Sequence, residues 1–226
     1  MIPGANDCKM PNTLTLSSLP LFPLGTVLFP DGLLPLRIFE VRYLDMIGKC
    51  HKAGAPFGVV SLSHGNEVRR PGMTEEFASI GTLAAIEEFT SPQPGLLLIR
   101  CRGTTRFRID RREQLRHGLW VADVTQIGND QPVPVPTDLQ PTANALQRLI
   151  QTMKDSDVPA EDLPMQPPWQ LDDCGWVANR WSELLPLPIE AKQRLMSLDN
   201  PLVRLELVSD ALGKFGIGTA NPTDGF

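Results

Sequence analysis

The chain has 226 residues, 42% hydrophobic and 21% charged, a balance that excludes a disordered, collagen-like or coiled-coil protein and allows one large domain or two small ones. Its formal net charge of -5 gives no general attraction to nucleic acid or to an anionic membrane. The 22 prolines interrupt every apolar run, so nothing approaches the roughly 20 residues of a membrane helix, and short strands and capped helices are expected.

Residues 1–18 contain Asp7 and Lys9 and lack the basic start and apolar stretch of a secretory signal, which points to the cytoplasm. The next segment, 19–36, is apolar but cut by Pro20, Pro23, Pro30 and Pro35, which favours short strands around turns. Pro30-Asp31-Gly32 is turn chemistry, with the glycine free to take a positive φ. A helix is expected over about 38–52, with Phe39, Tyr43, Met46, Ile47 and Cys50 on its buried stripe and Arg37, Glu40, Arg42, Asp45 and Lys49 off it. Gly54 and Pro56 end it.

Strands follow at 57–62, 80–86, 96–101, 104–109 and 119–125, separated by Gly, Pro and Ser turns. In 106–109 the alternation sends Phe107 and Ile109 inward and Arg106 and Arg108 outward. Strands not separated by helices argue for a small barrel rather than a doubly wound parallel sheet. The Pro-rich stretch 129–137 reads as a stiff linker between a first domain, 12–128, and a helical second domain, 138–214, with a tail at 215–226. In the second domain Leu139, Ala143, Leu146, Ile150 and Met153 share a helix face behind a cap at Thr137 or Asp138. Asp172 or Asp173 caps a helix carrying Trp176, Val177, Trp181, Leu184 and Leu185. Pro188 opens another toward Leu195 and Leu198. Asn200 and Pro201 start a last one through Leu202, Leu205, Val208 and Leu212, with Gly213 as its stop and 220–226 frayed.

Catalytic signatures are absent from the sequence. Gly48-Lys49-Cys50 and Gly213-Lys214-Phe215 lack the glycine and hydroxyl of a phosphate-binding loop, and HExxH, GxSxG and GxGxxG do not occur. Cys8, Cys50, Cys101 and Cys174 are scattered and read as reduced thiols, with Cys50 beside His51 a packing residue. His51, His64 and His117 read as surface or loop residues. The pairs Glu75-Glu76, Glu87-Glu88 and Asp172-Asp173 read as solvated faces or helix caps. No catalytic residue, metal ligand or cofactor is therefore expected, although an unrecognised enzyme acting on a small molecule stays open. One charge concentration exists, formed by Arg100, Arg102, Arg106, Arg108, Arg111, Arg112 and Arg116. It is either a solvated strand face or an anion and RNA surface, with only Phe107 interleaved as a stacking residue.

The stretch LPLFPLGTVLFPDGLLPLRIFEVRYLDMI (19–47) resembles the opening signature of the N-terminal domain of the Lon protease family. The resemblance continues with FGVV (57–60), GTLA (81–84), GTTRFRI (103–109) and LPLPIEAKQRLMSLDNPLVRLELV (185–208), and covers about 14–212. It implies an α+β fold, a PUA-like β-barrel (pseudo-barrel) followed by an α-helical bundle, and substrate recognition as the associated role. The ATPase and Ser-Lys peptidase modules of the full protease have no counterpart in these residues, so a stand-alone, non-enzymatic form is expected, similar to the Lon-like domain of cereblon. Cereblon's zinc site has no match among four scattered cysteines.

The resulting expectation is a module that captures exposed polypeptide segments, in the groove between barrel and bundle or on the apolar barrel surface. The partner would be a polypeptide or protein, with a separate ATPase or protease as a further one. Phe22, Phe29 and Leu33 are the expected apolar contacts, and Arg37, Glu40, Arg42 and Arg106 would orient the polar groups of the peptide. Core packing is the competing reading for Leu21, Phe22, Phe39 and Tyr43. An RNA-binding module using the 100–116 arginines is the alternative function.

Overall fold

The computed structural model describes residues 14–64, 75–159 and 162–217. Cys8 and the 220–226 segment lie outside the described residues. Seven strands come first, β1 (Thr15–Leu24), β2 (Leu33–Ile38), β3 (Phe57–His64), β4 (Glu76–Phe77), β5 (Ile80–Gln93), β6 (Leu96–Gln114) and β7 (Trp120–Gln126), with helix α1 (Val41–Ala53) between β2 and β3. Four helices follow, α2 (Gln140–Lys154), α3 (Cys174–Leu184), α4 (Ile189–Ser197) and α5 (Pro201–Lys214).

The sheet is antiparallel except where β1 runs parallel to β3, and its order is β1-β7-β6-β5-β3-β4. Because β1 pairs with both β7 and β3, the pairings return to their start and enclose apolar side chains. β2 lies off this path and pairs with the first part of β6. Two apolar clusters fill the sheet half. Phe22, Tyr43, Ile47, Phe57 and Cys101 pack between β-strands and α1, and Leu19, Leu21, Val60, Phe107 and Val124 pack at the other end. The helical half has its own cluster around Leu146, Val177, Trp181, Leu205 and Val208, and Val27 and Phe29 from the β1–β2 loop enter it.

Several local readings are met. Asp173 caps α3, its Oδ1 accepting from Trp176 N at 2.8 Å, and Asn200 caps α5, accepting from Leu202 N at 3.0 Å and Val203 N at 3.3 Å. Others change. The helix expected from 38 starts at Val41, so Ile38 closes β2 and Phe39 sits in the connection, 59% exposed instead of buried. The two strands expected at 96–101 and 104–109 are one, β6, which runs unbroken through Gly103; the glycine serves the close approach of Phe29 O, which a Cβ would meet at 2.1 Å, rather than a turn. In the Pro30-Asp31 turn the left-handed residue is Asp31, φ 61°, as the third position of a type II turn requires. Gly32 is needed for a different reason: a Cβ would lie 2.0 Å from the Glu183 carboxylate.

α2 begins after Leu139 with no side-chain cap, so neither Thr137 nor Asp138 performs that role. α5 runs through Gly213 to Lys214, and the left-handed glycine beyond it is Gly216, φ 69°. The 129–137 stretch is laid against α3 by Cys174 N to Val133 O at 2.8 Å and Val135 N to Asp172 O at 2.9 Å, rather than spanning open solvent. Among the described residues no helix is long and apolar enough to cross a membrane.

Candidate functional site

The sheet and helical halves meet in a seam with a closed side and an open side. On the closed side Arg106 of β6 turns inward, against the alternation expected for it, because the face it points to is covered by helices rather than water. Its Nη1 donates to Met196 O and Leu198 O, both at 3.0 Å, and its Nη2 to Asp130 at 3.1 Å. Burial pulls the Arg106 guanidinium below its ordinary pKa, and Asp130 opposes that pull. Arg204 of α5, 1% exposed, holds the other side of the same carboxylate, with Nη1 at 2.5 Å from Asp130 Oδ2, and donates to Leu195 O at 3.0 Å. Gln193 completes the seal, donating to Ile80 O at 3.0 Å and accepting from the Ser61 hydroxyl at 2.7 Å.

The open side is a groove of about 680 Å³. One wall is the outer face of β2, β6 and β5, with Leu33, Pro35, Leu98 and Thr90; the other is Leu163, Pro164 and Met165 before α3, with Leu184 and Lys192. Its charges are largely engaged. Arg100 pairs with Glu88, and Lys192 Nζ donates to Glu183 O at 2.9 Å. Glu183 stands at the groove's end, its carboxylate within 3.1 Å of Arg180 Nη2 and bonded by the main-chain N–H of Phe29. Arg180 also donates to Pro30 O at 2.7 Å. Burial pushes the Glu183 carboxyl up to about 7, against the pull of Arg180 and Lys192. Burial likewise lowers the Lys192 ammonium.

The expected contact residues divide among three places. Leu33 lines the groove. Phe22, Arg37 and Glu40 border a separate hollow of about 180 Å³ beside β2, together with Leu36, Phe39 and Tyr43. Phe22 is 6% exposed and stacks on Tyr43 at 4.0 Å, which corrects the expectation that it stays accessible. Phe29, Arg42 and Arg106 are enclosed, which corrects the expectation that Phe29 stays accessible in its loop and that the two arginines present their charge outward. Phe29, 0% exposed, is the side chain by which the β1–β2 loop enters the helical core. Arg42 donates to Gly118 O at 2.7 Å and to Glu75 at 3.1 Å. Glu75, expected on a solvated face, is buried there and also accepts from Trp120 Nε1 at 2.7 Å.

The arginine stripe is not a continuous cationic face. Arg100, Arg102 and Arg106 pair with Glu88, Glu87 and Asp130, and Arg112 stacks over Phe77 at 4.4 Å. Burial pushes the Cys50, Cys101 and Cys174 thiols up, Cys101 to about 12, which disfavours the thiolate. His51 stacks on Phe89 at 4.1 Å, and His64 and His117 are exposed. Among the described residues no group of three or more His, Cys, Asp or Glu is placed to hold a metal ion. Sequence reasoning missed Leu98, Met165 and Lys192. For Leu98 the apolar run 96–99 carried a signal, since a strand must send alternate residues outward; for the other two there was none.

The model of the ATP-dependent protease La (LON) substrate-binding domain family matches residues 18–214. The chain belongs to this Lon substrate-binding domain family. A Lon protease from Flavobacterium johnsoniae is 25% identical over 187 residues, which are 80% of this chain and 22% of that protein, so the chain spans about a fifth of its relative's length. The crystal structure of a Lon N-terminal domain protein from Xanthomonas campestris is 33% identical, with 86% of this chain and 98% of that chain covered and a TM-score of 0.67. The N-terminal domain of a Mycobacterium avium complex Lon protease shares the fold at 16% identity, covering 85% and 96% of the two chains with a TM-score of 0.57. The match is to the substrate-binding part of Lon, and it supports a substrate-recognition role.

Proposed function

We propose that this Lon-type domain captures exposed polypeptide segments by binding alone, and that the groove between sheet and helices receives them. The groove carries this reading. Its volume suits several side chains, and its walls hold half-buried leucines, two prolines and a methionine whose charged neighbours are mostly already paired. In the same reading the closed strand path is a PUA-like pseudo-barrel, α2–α5 form a helical bundle, and 129–137 joins the two. The captured segments would be delivered in the cytoplasm to an ATPase and protease on another chain or another part of the same one. Leu33 contacts the guest, while Arg37 and Glu40 border the neighbouring hollow.

Fluorescence anisotropy with a labelled unfolded polypeptide and a labelled single-stranded RNA, each at low and moderate salt, tests this. The polypeptide is expected to bind with little salt dependence. Leu98→Lys, which places a charge in the groove wall, is expected to weaken binding about tenfold. RNA binding that falls steeply with salt, without polypeptide binding, would contradict the proposal.

A further inference from the structure

Strand β2 is bonded along one edge only, and among the described residues its sole strand partner is β6. The ladder fixes which of its main-chain groups face the other way. Gly103 N donates to Gly32 O at 2.8 Å, and these residues stand opposite each other one step before the Leu33↔Arg102 pair. In an antiparallel ladder hydrogen-bonded pairs alternate with pairs that exchange no bonds. Leu34, Leu36 and Ile38 therefore bond to β6, and Leu33, Pro35 and Arg37 turn their main-chain groups to the open edge. Pro35 agrees with this phase, since a proline nitrogen is tolerated in a strand where it faces away from the ladder. The edge offers two N–H donors, from Leu33 and Arg37, and three carbonyls.

Two hollows lie along β2. The groove borders its first half at Leu33, Leu34 and Pro35, and the smaller hollow its second half at Pro35, Leu36, Arg37 and Ile38. A strand laid beside β2 passes the groove at one end and the smaller hollow at the other, and sends alternate side chains to opposite faces of the sheet. The rim is positive where it is unspent. Glu40 is held by Arg42 at 3.1 Å, whereas Arg37 is exposed and no carboxylate pairs with it among the described residues.

We propose that the open edge of β2 binds an extended polypeptide segment as an added strand, with apolar side chains seated in the groove at one end and in the smaller hollow at the other, and a carboxylate beside Arg37. This rests on the capture reading above and supplies its hydrogen-bonding mode. The probe is a labelled octapeptide of Val, Leu and Thr with one Asp, measured by anisotropy together with variants carrying a single N-methyl group at each position. Methylation of residues whose N–H faces β2 is expected to weaken binding about tenfold and methylation of the intervening residues little, giving an alternating profile. Leu33→Pro, which removes both an outward N–H that β6 does not use and the leucine side chain, is expected to weaken the octapeptide about tenfold more than Leu33→Ala, which removes the side chain alone. Arg37→Glu is expected to weaken the Asp peptide more than its Asn counterpart. The methylation series uses the unaltered protein, so it decides the matter even where a variant misfolds. A flat profile, or no octapeptide binding, beside binding of the labelled unfolded polypeptide overturns the added-strand mode and leaves capture standing. Failure of both probes overturns both.

Discussion

The same two halves of the molecule meet around Asp130 and around Glu183, and the two places are built differently. At Asp130 two buried arginines, from β6 and α5, share one carboxylate and also reach the carbonyls of Leu195, Met196 and Leu198, with Arg106 touching Asp199 and Arg204 the Asn179 side chain as well. At Glu183 the helical half reaches across to the backbone of the β1–β2 loop, through Arg180 to Pro30 O and through the carboxylate to the Phe29 N–H, and beyond them the walls separate into the groove. The difference separates stability from access. A seam satisfied by charge and carbonyls on one side can leave half-buried leucines on the other without the halves coming apart.

The largest effect is expected from breaking the closed side. Asp130→Ala leaves Arg204 without a carboxylate and Arg106 with only the exposed Asp199, and should lower unfolding stability by about 3 kcal/mol in denaturant titration. Loss of less than about 1 kcal/mol would mean that the seam does not depend on this clamp.

A middle-sized effect comes from Glu183. Its folded-state pKa lies above the unfolded one, so the folded protein holds a proton between about 4.5 and about 7 that the unfolded chain has released. Its contribution is present at pH 5, declines as pH rises to about 7 and is flat above, an overall change of about 2 kcal/mol after allowance for partial exposure. Glu183→Gln should flatten that part of the pH profile, and an unchanged slope would show that the carboxyl is not held in this environment. The smallest effect is expected on the open side, where Leu98→Lys should change stability by less than about 0.5 kcal/mol while weakening polypeptide binding.

These contrasts explain what could be read in the sequence. Asn200-Pro201 and Asp173 were legible because a cap is satisfied within three residues. That strands precede residue 127 and helices follow residue 139 was legible from the change of hydrophobic period. Arg106 was not, because alternation identifies a face and does not say what covers it; its partners Met196 and Leu198 lie 90 and 92 residues away. Arg42 was misjudged for the same reason, with Gly118 at a separation of 76. Of the candidate site, Leu33 was legible as an apolar residue in a proline-punctuated segment. Met165 and Lys192 join it only through tertiary packing, and Phe29, equally apolar and equally close to proline, went to the core instead.

The central claim is the location of binding, and hydrogen exchange of the protein with and without a saturating unfolded polypeptide tests it most directly. The account predicts added protection at Leu33 and Arg37, whose N–H groups face the open edge, and in residues 162–165 and 184–192 along the groove, with none on the outer face of α5 around Val203 and Leu207. Protection confined to α5 or to the arginines at 108–116, with β2 and the groove unchanged, would contradict it.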